Sequence, residues 1–323
     1  MTSIANKLIW CSKKRNARGL MKHLRLFEYL DAVVRQGSIR RAAENLYITP
    51  SALDRRIQQV EEELGTPIFE RHARGMRLTA AGEIFLNYVR RHIADLERVR
   101  SEIEGLKGLR RGHVDVVASQ ALASRFLPDQ INSFRASYPR VSFGVRVVDR
   151  GEALRALIAY EADLALVVLP KITSEVLELV MVAQPIVAMM TERHPLAAKS
   201  EVRLSDCLSY PLVLPDATLG VRELLEPTLA KRSTKAKIVT EANSFELMRQ
   251  LLVDNHSIGF QVQIGAPTDT DNRDGLLSRP IDPRDVPMAP LVCAQLRGRT
   301  PSVAAAHFAH RLAQQLNTMN PVG

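Results

Sequence analysis

Seven residues, Phe85, Val89, His92, Leu96, Val99, Ile103 and Leu106, follow one another at alternating steps of four and three. That spacing is the seam of a coiled coil, and it commits the stretch from Ala80 to Lys107 to one helix roughly 40 Å long. Thr79, directly before it, is a good N-cap. The seam predicts pairing with a second copy of the chain, while the alternative is an amphipathic helix packed on its own domain. His92 reads as a tolerated polar position in this seam and not as a metal ligand. At 323 residues the chain is long enough for about two domains, and the segments before and after the long helix differ in both pattern and charge.

Ahead of it, Leu24, Phe27, Leu30, Val33 and Val34 recur at helical spacing and stop at Gly37. Ser38 can cap a short second helix carrying Ile39, Ala42, Ala43 and Leu46, in which paired alanines permit close helix approach. After Tyr47-Ile48, Thr49 as N-cap and Pro50 at the first helical position open a third helix. Its apolar face is Leu53, Ile57, Val60 and Leu64, which leaves Ser51, Asp54, Arg55, Gln58 and Gln59 on other faces. Gly65 ends it, and Thr66 to Phe69 and Gly75 to Leu78 read as two short strands around a tip bearing Arg71, His72 and Arg74. This order predicts a winged helix-turn-helix.

Behind the long helix, the break Leu109-Arg110-Arg111-Gly112 leads into alternating strands and helices. Strands are expected at 114–118, 141–148, 164–169, 186–190, 212–214, 238–241 and 258–262. Helices are expected at 126–135, 152–160, 221–230, 245–253 and 302–316. Alternation of this kind predicts parallel βαβ units. The fold class is therefore α/β behind an all-helical head with a wing. No internal repeat or low-complexity tract occurs.

Charge separates the same segments. The chain carries 44 Lys and Arg against 35 Asp and Glu, a formal +9. Residues 1–20 contribute +5 with no acid, residues 21–111 contribute +4, and residues 112–323 balance. Attraction for a polyanion is thus confined to the first third, and the neutral remainder suits enclosure of a small ligand. Cys11, Cys207 and Cys293 are isolated, so neither a disulfide framework nor a thiolate zinc site is indicated, and a reducing compartment fits. The longest apolar run, Leu164 to Leu169, is far too short to cross a bilayer, which predicts a soluble cytoplasmic protein without a membrane partner.

A recognition helix enters the major groove with its N-terminal residues at base edges, and nearby basic side chains contact phosphates. Ser51, Asp54, Arg55 and Gln58 are the base-facing candidates. Arg pairs with guanine, Gln with adenine, and an acid accepts only from a donor such as the cytosine amino group. Asp54 equally fits an acid favoured by the dipole at a helix start. Arg71, Arg74 and Arg77 in the wing are expected to hold phosphate.

Five motifs in this stretch, 38–46, 49–57, Glu61-Glu62-Glu63-Leu64-Gly65, Ile68-Phe69-Glu70-Arg71 and Leu78-Thr79-Ala80-Ala81-Gly82, resemble the LysR-type transcriptional regulators. The likeness runs from Met21 to about Leu316, strongly in the head and more weakly behind it. It implies a winged helix-turn-helix at 21–79, a dimerising linker helix at 80–111 and a two-lobed effector-binding domain at 112–316, similar to type-2 periplasmic binding proteins. Lobe I would be 112–184 with 286–316, and lobe II 185–285. The resemblance also implies a homotetramer, a dimer of dimers, on double-stranded DNA at an interrupted inverted repeat near a promoter, with RNA polymerase as a further candidate partner. Ser38, Arg40 and Thr49 join the base- and phosphate-facing set on this reading.

Two departures from the family pattern stand out. Asp54 occupies a position where relatives often carry Ser. Met21-Lys22-His23-Leu24-Arg25 resembles the usual family start, so residues 1–20 are either a disordered basic arm that strengthens binding without specificity or a product of start-site choice.

The resemblance places the effector between the lobes, where helix N-termini offer unpaired N–H groups to a carboxylate or phosphate. Ser119 and Gln120 follow the first strand, Asp149 and Arg150 precede the second helix, and Leu169 and Pro170 close the third strand. Pro215 and Thr218, with Asn243 and Ser244, match loops of the second lobe. An inward-pointing Arg150 would suit an anionic effector.

Enzyme signatures GxSxG, HExxH and GxxxxGK[ST] are absent, and no cofactor is implied. Asp269, Asp271 and Asp274 have the look of a calcium loop, but Arg273 and Pro280 fall where oxygen ligands are needed. His307 and His310 have no acid or cysteine to join them. An enzyme bearing a DNA-binding head and an effector-independent DNA binder remain the competing readings.

Overall fold

The computed structural model describes residues 22–72, 75–105, 111–231, 237–253, 256–268 and 275–319. Residues 1–20, Arg74, Leu106 and the acidic loop residues Asp269, Asp271 and Asp274 lie outside the described residues. The chain forms two compact units, Met1–Glu97 and Arg98–Gly323.

The first unit begins with α1 (Lys22–Gln36), α2 (Ile39–Leu46) and α3 (Pro50–Leu64). Each start has its own reason. The Ser38 hydroxyl accepts the Arg41 N–H, the Thr49 hydroxyl accepts the Ala52 N–H, and Pro50 occupies the first turn of α3, where no N–H is needed. Gly65 stops α3 in the left-handed region at φ 66°. Ala42 and Ala43 are completely buried with Leu30, Val33, Leu53 and Ile57, the alanines allowing α2 to lie close to its neighbours. Burying each larger side chain contributes roughly 1.5–3 kcal/mol. Leu64, expected on this apolar face, is instead exposed, because it is the last residue of α3 and the helix end has run beyond the core.

The wing is the antiparallel pair β1 (Phe69–His72) and β2 (Gly75–Leu78), with Phe69 opposite Leu78. Its first strand starts three residues later than the expected Thr66. Pro67 has no N–H, and the Ile68 N–H donates to the Glu61 carboxylate of α3 at 2.8 Å, so neither has a free donor for a ladder; the Phe69 N–H at the start of β1 donates to the same carboxylate at 3.0 Å. The Met76 N–H donates to the Gly37 carbonyl, and any side chain at Gly75 would collide with that oxygen.

Helix α4 (Ala80–Gly105) follows. Thr79 fixes its start by donating from its hydroxyl to the Pro67 carbonyl and accepting the Gly82 N–H. Within the first unit α4 covers the head. Val89 is 0% exposed in the head core, Phe85 and Ile93 pack against that core, and Arg90 donates to the nearly buried Asp31 of α1 at 3.0 Å. This corrects the seam. Val89 is wholly buried within its own chain, and Phe85 is partly so. The exposed apolar residues of α4 are Ile84 (75%), Tyr88 (49%), Val99 (40%) and Ile103 (58%), with half-buried His92 and Leu96 on the same side. The reason is the head itself: a three-helix core this small needs a fourth wall, and α4 gives up one edge of its apolar surface to supply it.

The second unit contains two five-stranded sheets. The first takes β3 (Gly112–Ala118), β4 (Val141–Val147), β5 (Leu164–Val168), β6 (Val176–Gln184) and β12 (Ala289–Leu296), in the order β4-β3-β5-β12-β6. The second takes β7 (Ile186–Thr191), β8 (Pro211–Pro215), β9 (Lys237–Ala242), β10 (Ile258–Val262) and β11 (Leu276–Pro280), in the order β11-β7-β10-β8-β9. Parallel pairing holds for β3 with β4 and β5, and for β8 with β9 and β10. It fails for β12 and β7, which run antiparallel to their neighbours, so the expected parallel sheets are mixed. The chain passes from one sheet to the other at Pro185 and again between Pro280 and Ala289, and these crossings bring in the reversed strands. The strands missing from the sequence reading, β6, β11 and β12, are the ones that hold Pro280 and Pro290 or lie at an edge with a mixed burial pattern, which weakens any strand signal.

Helices α5 (Gln120–Ala123), α6 (Phe126–Ser137), α7 (Arg150–Ile158) and α11 (Val303–Thr318) accompany the first sheet, and α8 (Leu204–Cys207), α9 (Gly220–Lys231) and α10 (Phe245–Leu252) the second. Cys207 and Cys293 are buried, and loss of solvent pushes both thiols up to about 12, so neither supplies a thiolate near neutral pH. Among the described residues no helix is long and apolar enough to cross a membrane.

Gly82 tests the packing of α4 on the wing. Alanine is the better helix former by up to about 1 kcal/mol, but its Cβ would overlap the Ile68 carbonyl oxygen. Gly82→Ala is expected to destabilise the head by about 1–3 kcal/mol in denaturant unfolding; a gain in stability would show that β1 does not approach α4 as described.

Candidate nucleic-acid interface and ligand cleft

The polar face of α3 starts at its cap. Thr49 and Ser51 hydroxyls lie 3.2 Å apart, and Ser51, Ala52, Arg55, Arg56 and Gln59 line an open concavity. Arg55 is exposed and has no ion-pair partner among the described residues, which leaves its guanidinium free for a base edge or phosphate. On the wing side of this face Asp54 Oδ1 accepts from Arg71 Nη2 at 2.6 Å, and Asp54 Oδ2 accepts from Gln58 Nε2 at 3.3 Å. Arg77 is exposed on β2. Arg40, 83% exposed at its side chain, leans on Glu44 at 3.4 Å. Ser38 is spent on capping α2.

In the second unit a cavity of about 320 Å³ lies between the two sheets, at the C-terminal ends of the parallel strands β3, β4, β8 and β9. Open α/β sheets place ligands at this edge, and the volume suits a small molecule. Ser119, Gln120, Asp149, Arg150, Thr218 and Asn243 line it as expected from sequence. Leu169, Pro170, Pro215 and Ser244 do not. The Leu169 carbonyl accepts from Arg150 and the Pro215 carbonyl from Arg222, and the Ser244 hydroxyl caps α10 by accepting the Leu247 N–H. These residues support the rim from behind. The sequence reading missed the apolar walls, Val147, Val168, Leu219, Val221, Phe245 and Val262, together with Glu152. Val147, Val168 and Val262 end strands, so walking each predicted strand to its last residue would have found these three.

Two polar links cross the cavity. Gln120, on the first sheet's side, donates from Nε2 to the Asn243 carbonyl at 3.1 Å and accepts the Phe245 N–H on Oε1 at 2.5 Å. Its carboxamide therefore sits on the first N–H of α10, where a ligand's carboxylate would otherwise bind. Arg150 donates to the Leu169 carbonyl at 3.2 Å and to Glu223 of α9 at 2.5 Å. Arg150 beside it holds the Glu223 carboxyl below the usual range. The Arg150 guanidinium thus spans the lobes and is already partnered. At the opposite side of the cleft Gly265 meets the Ala121 carbonyl so closely that no side chain fits there. Asp149 does not face a ligand alone, since its carboxylate caps α7 by accepting the Glu152 N–H at 2.7 Å. Among the described residues no three His, Cys, Asp or Glu side chains gather where they could hold a metal.

Comparison with known proteins bears on both sites. Residues 24–83 match the bacterial regulatory helix-turn-helix protein, lysR family, and residues 107–317 match the LysR substrate binding domain. The chain belongs to the LysR family of transcriptional regulators. Among its relatives, the HTH-type transcriptional activator CmpR of Synechocystis is 26% identical over 227 residues, 70% of this chain and 74% of that protein. A full-length OxyR variant from Pseudomonas aeruginosa has the same fold, with a TM-score of 0.70 over 92% of this chain and 95% of that one at 19% identity. CbnR, solved full-length with its target DNA, gives 0.61 over 91% and 99% at 17% identity. A LysR-family chain has a DNA-binding head and an effector-binding domain, and the cavity lies between the two sheets of the latter.

The Gln120 link is open to direct measurement. With about 0.5–1.5 kcal/mol for a hydrogen bond, Gln120→Ala is expected to speed amide exchange at Phe245 roughly two- to tenfold while the β10 amides keep their protection. Unchanged exchange at Phe245 would mean that this side chain does not hold the two lobes together.

Proposed function

We propose that this LysR-family regulator works as a homo-oligomer, a dimer of dimers on an interrupted inverted repeat in double-stranded DNA near a promoter, within reach of RNA polymerase in the cytoplasm. Thr49, Ser51, Arg55 and Gln58 read the major groove, and Arg40 and Arg77 contact phosphates. The stripe Ile84, Tyr88, His92, Leu96, Val99 and Ile103 pairs with a second copy. Its support is the exposure of large apolar side chains along one side of α4, which a lone chain would leave in water.

Control by a small molecule rests on the bonded state of the cleft. Two of the cleft's receptors for an anion, the Arg150 guanidinium and the Phe245 N–H, are each satisfied within the protein, by Glu223 and by Gln120. A ligand that takes either of them replaces a link between the lobes. Binding and lobe movement then become one event, and the ligand can change the output only by its preference for one arrangement over the other.

Two outcomes are expected. Val99→Asp with Ile103→Asp should halve the mass measured by light scattering at micromolar concentration or reduce it to a monomer, while the melting of the head is retained; an unchanged mass contradicts pairing through α4. Native mass spectrometry of protein purified gently from its host should reveal a retained small molecule. Adding that compound should alter the footprint on DNA upstream of the protein's own coding sequence, and an identical footprint with and without it contradicts effector control.

A further inference from the structure

Asp54 is the only acid in the first two turns of the recognition helix, and we propose that it is a positioning residue: it holds Arg71 of the wing and the amide of Gln58, and reads no base itself. The inference rests on the DNA-reading role of the head and deepens it. Both carboxylate oxygens are engaged within the protein, Oδ1 by Arg71 Nη2 at 2.6 Å and Oδ2 by Gln58 Nε2 at 3.3 Å. On a helix, residues 51, 55 and 58 fall within a ~60° arc, and residue 54 stands at its edge. That edge is where the wing strand β1 brings Arg71.

Two consequences follow from the chemistry. An ionised carboxylate only accepts hydrogen bonds, so the amide of Gln58 can face it only with its NH2 end. Its Oε1 is then turned away as an acceptor, which at a base edge matches the amino group of adenine or cytosine. Asp54 therefore selects which end of Gln58 meets the DNA. The second consequence concerns charge. A bare acid beside the phosphate backbone would repel it, and Arg71 cancels that charge. Arg71, for its part, is withdrawn from the set of cations that displace counterions on binding. The expectation that Arg71 holds phosphate is replaced by a bridge between wing and helix. The side chains of Asp54 and Arg71 are 29% and 64% exposed, a setting in which an ion pair adds little to folding, so either can be replaced in a folded head.

The test uses the full-length chain and a duplex that the wild type enriches from a random-sequence pool. Failure of the wild type to enrich any duplex would overturn the DNA-reading role itself, before any variant is compared. Wild type, Asp54→Ala, Arg71→Ala and the double variant are then compared by the slope of log affinity against log salt and by repeat selection, with thermal melting to confirm folding. Arg71→Ala leaves Asp54 bare beside the backbone and should lose affinity for all sequences alike, with a slope somewhat shallower than the wild type. Asp54→Ala should steepen the slope by about one, as the released Arg71 takes a phosphate, and should relax preference at one base pair of each half-site. Removing Arg71 as well should return the slope to the wild-type value. A double variant whose slope stays shallower than the wild type would place Arg71 on phosphate already and overturn the proposal. So would an Asp54→Ala variant that changes base preference at an unchanged slope, which is the signature of a direct base contact, or one that changes neither.

Discussion

A helix begins with backbone N–H groups that find no partner inside it, and both units of this chain are organised by where those donors go. In the head they are met locally. Ser38, Thr49 and Thr79 cap α2, α3 and α4, and Thr79 also ties the start of α4 to the carbonyl of Pro67. These caps set the direction of each helix and so present the polar face of α3 away from the core. In the effector-binding unit Asp149 and Ser244 cap α7 and α10 in the same way. The difference lies at Phe245. Its N–H is met by Gln120 from the opposite lobe, so one orphan donor is satisfied only while the two sheets stay together. A group of this kind is strong when bonded, exchangeable for a ligand's oxygen, and costly to leave unmade. It gives the cleft a reason to respond to what enters it.

Charge follows the same division. The formal +9 breaks into +5 in residues 1–20, +4 in residues 21–111 and zero beyond. The head is thus only mildly basic, and part of that charge is cancelled in place, as Asp54 does to Arg71.

Much of this was legible in the sequence, for identifiable reasons. Helix starts marked by Ser38, Thr49-Pro50 and Ser302 and stops marked by Gly37 and Gly65 are local chemistry, and the elements lie where those residues put them. Cleft residues such as Ser119 and Gln120 follow a strand end, and Thr218 is reached through the family resemblance. What stayed hidden depends on distant partners. Nothing near Glu61 says that its carboxylate takes the first two donors of the wing, and nothing near Val89 says that the head needs it more than a second copy does. Gln120 read as a ligand contact because its position was visible, while its partner, Phe245, is 125 residues away. Periodicity finds faces; it does not say which neighbour each face will meet.

The proposed role of the head is to read DNA as a symmetric pair. The most direct measurement is selection by the full-length chain from a pool of random duplexes, followed by sequencing and a salt titration on the enriched sequence. Enrichment of an interrupted inverted repeat, with affinity falling steeply as salt rises, is the predicted result. A lone unrepeated half-site, or no enrichment over the starting pool, would contradict it.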